Sequence, residues 1–205
     1  MTVPKAFELI EETPLHRGFF DMLRLRFRHT LFRGGWSTVV DRELLHRGRC
    51  VAVIPYDPVA DTVVLIEQFR VGAMKAKANP WLLEIVAGAV EDGETPEDVA
   101  HREALEEAGC VLRELIRIGE FFTSPGGYSE IITLFCGLLD SRGIGGVHGL
   151  EEEEEDIRVE VVSFEEAMLL LQRERIDSAI PIIALQWLAL NRDRLRQPLD
   201  RWETK

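Results

Sequence analysis

The sequence predicts an α+β (mixed α/β) protein: a mixed β-sheet sandwiched between helices, with an N-terminal antiparallel β unit in front of it. Three observations carry this prediction: a period-two stretch near the N-terminus, several short apolar runs rich in β-branched residues, and capped helical patterns at the centre and C-terminal end. Residues 22–28, MLRLRFR, alternate Leu23, Leu25 and Phe27 with Arg24, Arg26 and Arg28, which gives one strand an apolar and a cationic face. The arginine face is expected to be solvated, or else to meet an anionic ligand or another subunit. Gly34-Gly35 then marks a turn before WSTVV. Residues 1–47 are therefore expected to form the antiparallel unit and residues 48–205 the main domain.

In the main domain, CVAVIPYD and TVVLIEQFR read as strands joined by a turn at Asp57-Pro58 to Asp61. WLLEIVAG and IITLFCGLL add strands whose near-continuous apolar character suits a sheet covered on both faces. Ser163 to Glu166 forms a capping box that opens a helix through about Gln172, and Asp177 or Ser178 caps another that runs to about Leu190. A third helix is expected over 96–108. Thr95 is its N-cap, Pro96 stands at the first position, Glu97 and Asp98 complement the dipole, and Gly109 stands just past the end.

Charge and composition bound the function. With 36 acidic against 24 basic residues the net charge is −12, which argues against broad docking on a nucleic-acid backbone. Cys50, Cys110 and Cys136 are odd in number and widely spaced, as expected of free thiols in a reducing compartment. No secretory signal or membrane-length apolar run is visible, so a cytoplasmic protein without a membrane partner is expected.

On the central helix Glu103, Glu106 and Glu107 are spaced three and four apart and share one face. Like charges at this spacing cost a few tenths of a kcal/mol per pair, about 0.2–0.5. Arg102 offsets part of that cost, and a hard divalent cation with oxygen ligands would offset more. The alternative is a solvated acidic face.

The segment GAVEDGETPEDVAHREALEEAGC, residues 88–110, resembles the Nudix box: Gly88, Glu94, Arg102, Glu103, Ala104, Glu106, Glu107, Gly109 and Cys110 stand at its fixed positions. Ala104 and Cys110 are smaller than the aliphatics usual there. Pro125 of SPGGYSE, fifteen residues past the box, resembles the mark of the bacterial ADP-ribose pyrophosphatases, and RGFF, LIEQFR, WLLEIVAG, HGLEEEEEDIRV and IALQWL extend that likeness along the chain.

The resemblance implies an Mg²⁺-dependent hydrolase (Mn²⁺ or another divalent ion being possible) that converts ADP-ribose to AMP and ribose 5-phosphate. The alternatives are a pyrophosphatase for another nucleoside diphosphate sugar and a non-catalytic ADP-ribose sensor. By the same resemblance Glu103, Glu107, the Ala87 carbonyl and Glu155 are metal ligands, and Glu106 is a direct or water-mediated ligand within the catalytic cluster. Glu153 is the catalytic base. Gly88, Glu94, Arg102 and Gly109 hold the motif in shape. Arg70 pairs with phosphate, Phe19, Arg42, Glu43 and Arg47 contact adenine and ribose, and Glu130, near Pro125, contacts the terminal ribose. The resemblance also implies a homodimer with a shared active site. If the run 151–155 is extended, Glu153 and Glu155 point the same way.

Overall fold

The computed structural model describes residues 4–76 and 79–197. Contacts divide the chain into two compact units, one drawn from Met1–Arg49 with Phe122–Ile131, the other from Cys50–Phe121 with Ile132–Lys205. The segment 122–131, expected within the main domain, joins the N-terminal strands through backbone pairing. Leu45 donates to the Gly127 carbonyl at 2.9 Å and accepts from Ser129 N at 3.1 Å.

The first unit contains β1 (Phe7–His16), β2 (Asp21–His29) and β3 (Val40–His46), antiparallel and in that order. Leu23, Leu25 and Phe27 are half-buried, as their alternation requires. The arginine face is not simply solvated. Register sets Arg28 opposite Glu8 and Arg26 opposite Glu11, and these pairs close at 2.7 and 2.9 Å, while Arg24 grips Asp41. Such partners follow from strand pairing, which spacing along one strand does not reveal. Gly34 and Gly35 take the left-handed turn (φ 91° and 75°) that a side chain would resist.

The second unit is built on β4 (Arg49–Asp57), β5 (Thr62–Phe69), β6 (Trp81–Glu84), β7 (Val86–Ala89), β8 (Glu114–Phe122), β9 (Ile131–Leu138), β10 (Gly146–His148) and β11 (Ile157–Ser163). The mixed sheet runs β10-β11-β5-β4-β9-β8, with β6 paired to β5 and β7 to β4. Its helices are α1 (Val71–Ala76), α2 (Pro96–Ala108), α3 (Phe164–Gln172) and α4 (Ala179–Leu195). Period-two alternation splits the strands between two cores. Ala52, Ile54, Tyr56, Val63 and Leu65 pack with Ala167, Leu185 and Leu188 of α3 and α4, while Val51, Val53, Val64 and Ile66 pack with Val99, Ala100 and Ala104 of α2.

Three expectations need correction. WLLEIVAG is two strands and not one, because the chain leaves β5 after Glu84 and joins β4 from Val86; an apolar run does not reveal a change of neighbour. Helix α4 continues past Leu190 to Leu195, where Leu195 is 2% exposed and Arg192 pairs with Asp61. Its N-cap residue, Ser178, makes no side-chain capping bond. The acidic run is not extended: Glu151–Glu153 wind a single 3₁₀ turn and Glu154 closes it at φ 54°. Alternation therefore does not align Glu153 with Glu155.

Asp61 anchors the end of α4. It is 8% exposed and accepts from Tyr56 Oη at 2.7 Å, from Arg192 and from Arg196 Nη1 at 2.7 Å. The Arg192 guanidinium holds its carboxyl below the usual range, with burial opposing. A depressed folded-state value means that this stabilisation is present above the unfolded carboxylate range and is lost as pH falls through the folded value. Asp61→Asn, which tolerates the left-handed φ of 60° here, is expected to cost about 3 kcal/mol by leaving two arginines without their carboxylate. Urea unfolding at neutral pH measures this, and the difference from wild type is expected to shrink on acidification.

Candidate active site

Helix α2 is fixed at both ends. Thr95 Oγ1 accepts from Asp98 N at 3.2 Å and Asp98 answers to Thr95 N at 3.1 Å; at the other end Gly109 turns left-handed at φ 61°. A Cβ on Gly109 would come within 2.7 Å of the His148 ring, so this glycine also lets the strand before the acidic run close on the helix end. Gly149 N donates to the Glu106 carbonyl at 3.2 Å, which ties the same loop to α2.

The loop before α2 lies against the acid face. A Cβ on Gly88 would overlap the Glu103 carboxyl, so any side chain there would have to displace it. Glu107 Oε2 accepts from Ala87 N at 2.9 Å. Arg102 grips Glu94 with Nε and Nη2 (2.9 and 3.1 Å) and donates from Nη1 to Glu103 (2.8 Å) and Glu106 (3.1 Å). Glu94 in turn accepts from Glu91 N at 3.0 Å. One guanidinium thus holds loop and helix in register.

Electrostatically the cluster is short of positive charge. Glu107 is 3% exposed, and burial pushes its carboxyl up to about 8; the charges of Glu103 and Glu155 add to the rise, while the Ala87 N–H and Arg70 oppose it. Burial also raises Glu103, against the pull of Arg102. Arg70, at the end of β5, is itself held by Glu84 at 2.7 Å.

Among the described residues no three His, Cys, Asp or Glu side chains converge closely enough to hold an ion. Glu103 and Glu106 share Arg102 Nη1, Glu107 faces Ala87 N, and Glu155 Oε2 accepts from Leu150 N at 3.2 Å. Glu153 is the last residue of the 3₁₀ turn, and its side chain lies outside the described residues.

Within the first unit, Phe19 is 82% exposed, and the Arg47 guanidinium lies 4.6 Å from its ring centroid and 5.1 Å from that of Phe20. Ser129 Oγ braces Arg47, accepting from its N at 3.1 Å and donating to its carbonyl at 3.0 Å. Pro125 lies in the turn where Gly127 and Tyr128 donate to the Ser124 carbonyl, and Glu130 accepts from Tyr128 Oη at 3.1 Å. Arg42 and Glu43 are on β3, with Glu43 opposite Arg24. Sequence patterns did not single out Glu84, His148 or Ser129. Glu84 carried a usable signal, an acid interrupting an apolar run; Ser129 carried none.

The NUDIX domain profile matches residues 46–184. The chain is 48% identical over 189 residues to an ADP-ribose pyrophosphatase of Escherichia coli (strain K12), covering 92% of this chain and 90% of that protein. It is 49% identical to one of Haemophilus influenzae, covering 95% and 91%. A GDP-mannose pyrophosphatase of Cronobacter sakazakii is 35% identical, covering 89% and 95%. Among solved structures, an ADP compounds hydrolase superposes with a TM-score of 0.66 at 19% identity, covering 90% of this chain and 95% of that one, which is a likeness of fold.

Proposed function

This chain belongs to the NUDIX family, and from that premise we propose that it hydrolyses ADP-ribose to AMP and ribose 5-phosphate by attack of water on a phosphorus. The observation that carries the chemistry is the acid face of α2, with Glu107 buried and Glu103 and Glu106 half-buried, clamped by Arg102 against a loop in which Gly88 leaves room for Glu103. The choice of ADP-ribose rests on 48–49% identity over more than nine-tenths of the chain to proteins named for that substrate. The GDP-mannose relative supports a second reading, a pyrophosphatase for another nucleoside diphosphate sugar. A non-catalytic sensor is disfavoured because Glu103, Glu106 and Glu107 are all retained.

The donor set suits a hard divalent cation, Mg²⁺ first and Mn²⁺ as an alternative. Glu103, Glu106, Glu107, Glu155 and the Ala87 carbonyl supply only oxygen, and their negative charge exceeds what Arg102 offsets. Such a cation, when bound, neutralises pyrophosphate oxygens and acidifies water. Glu94 and Arg102 keep the ligands in place, Arg70 pairs with a phosphate oxygen, and Glu153 takes the proton of the attacking water. Phe19, Arg42, Glu43 and Arg47 receive adenine and its ribose, the stacked Arg47 and Phe19 offering flat faces for a base. Glu130, beside the Pro125 turn, receives the terminal ribose.

A homodimer that shares its active site is part of the proposal. Phe7, Leu9, Ile10 and Leu15 of β1 are 44–79% exposed, an apolar surface that a second copy would cover. A cytoplasmic location also belongs here; among the described residues no helix is long and apolar enough to cross a membrane.

The test is turnover of a panel of nucleoside diphosphate derivatives, with and without divalent ions, read as phosphatase-released phosphate. ADP-ribose is expected to lead, and absence of its turnover with every ion tested would sink the proposal. Glu153→Gln is expected to lower kcat by about 10²-fold while metal affinity is kept. Single glutamine variants across 151–155 would show whether a neighbour holds the role instead.

A further inference from the structure

Gln68 has no part in the site as assigned above, yet its placement points into it. On β5, Val64 and Ile66 face α2, and alternation puts Gln68 on that same face, two residues before Arg70, which follows the strand. Strand β11 runs antiparallel alongside, with Arg158 opposite Glu67 and Val159 opposite Ile66. Continued by one residue, this register brings Ile157, the first residue of β11, level with Gln68, while Arg70 and Glu155 lie just beyond the two strand ends. Gln68 therefore ends an apolar row (Ile66, Val159, Ile157), next to the strand ends beyond which stand Arg70 and Glu155, whose charges both reach Glu107.

Gln68 is 6% exposed, and its Nε2 has no hydrogen-bond partner among the described residues. Buried polar atoms left unpaired are rare in folded proteins, and an orphaned amide is costly. Ile66, Ile157 and Val159 offer no side-chain acceptor, and Nε2 only donates, so its missing partner is an acceptor. A phosphate group held by Arg70, two residues along the chain, would bring several acceptor oxygens.

We propose that Gln68 is a substrate-binding residue, donating from Nε2 to a phosphate oxygen of the bound nucleoside diphosphate at the inner edge of the site that Arg70 flanks. The inference rests on the pyrophosphatase reading and extends it to a group that fixes the pyrophosphate and not the base. A neutral donor suits this position, since a second cation beside Arg70 would compete for the carboxylates.

Gln68→Leu tests it, with Gln68→Met as an unbranched second variant should leucine pack poorly. Three quantities are measured: the unliganded Tm, the Kd of the uncleavable α,β-methylene analogue of ADP-ribose, and the Kd values of inorganic pyrophosphate and adenosine. The expected result is an unchanged or higher Tm, analogue and pyrophosphate bound about 10-fold or more weakly, and adenosine bound as in wild type. Unchanged affinities, or a lower Tm in both variants with affinities kept, would show a polar residue serving only the core and would overturn the assignment. Equal weakening toward adenosine would overturn it too. If the wild-type protein neither binds the analogue nor turns over ADP-ribose, the pyrophosphatase reading fails, and the pyrophosphate measurement decides Gln68 alone.

Discussion

Replacing Glu107 by glutamine is expected to lower kcat/KM for ADP-ribose by about 10³-fold, corresponding to about 4 kcal/mol of transition-state stabilisation lost with a charged ligand. The fold is expected to survive. Glutamine has nearly the same shape, and its Oε1 can still accept from Ala87 N, as Glu107 does at 2.9 Å. Stability carries a second signature. Burial raises the Glu107 carboxyl to about 8, well above its ordinary range, so the folded protein holds a proton that the unfolded chain releases. A raised folded-state value gives stability that is full below the unfolded range and lost as pH climbs through about 8. Without divalent ions, Glu107→Gln is therefore expected to melt higher than wild type at pH near 8 and at about the same temperature near pH 4. Thermal melts in a chelator at the two pH values read this out, and a variant that melts lower at both would contradict it.

Gly88→Ala is expected to cost about 10²-fold in activity and about 1–3 kcal/mol in stability. The added methyl needs the space of the Glu103 carboxyl, and the obstacle is not an idle side chain. Glu103 is tied to Arg102 at 2.8 Å, and Arg102 also holds Glu94 and Glu106. Displacing Glu103 therefore disturbs the whole clamp. Kinetics with a divalent-ion titration separates the effects: the half-saturating ion concentration is expected to rise along with the fall in kcat. A normal ion titration with only lower thermal stability would mean that the loop adjusts and the ligand does not move.

What was legible in the sequence follows from how local each feature is. The limits of α2 came directly from Thr95, Pro96 and Gly109, because caps are read from neighbouring residues. The two-faced core came from period-two runs, which β4 and β5 keep throughout. Features that depend on pairing between distant segments did not show. The Arg24, Arg26 and Arg28 partners required a strand register, and the division of WLLEIVAG required knowing that β6 and β7 have different neighbours. Segment 122–131 joins the N-terminal strands through Leu45 and Arg47, pairings that no local pattern announces. The shape of the acidic run is not legible for another reason: five consecutive glutamates have no periodicity, so nothing in them announces a 3₁₀ turn at Glu151–Glu153. The candidate site was legible as a set of acids on one helix face. Its orientation was not, since Glu84 behind Arg70 and His148 over Gly109 lie far away in sequence.

The most direct test of the central claim is hydrolysis of ADP-ribose in ¹⁸O-labelled water with Mg²⁺, the products being weighed by mass spectrometry. The expected products are AMP and ribose 5-phosphate, with a single label on the phosphate of one of them, counted apart from the anomeric oxygen, which exchanges with water, and no phosphate label when the divalent ion is chelated. Products without label on either phosphate, turnover that persists without divalent ions, or no cleavage with any of them would contradict it.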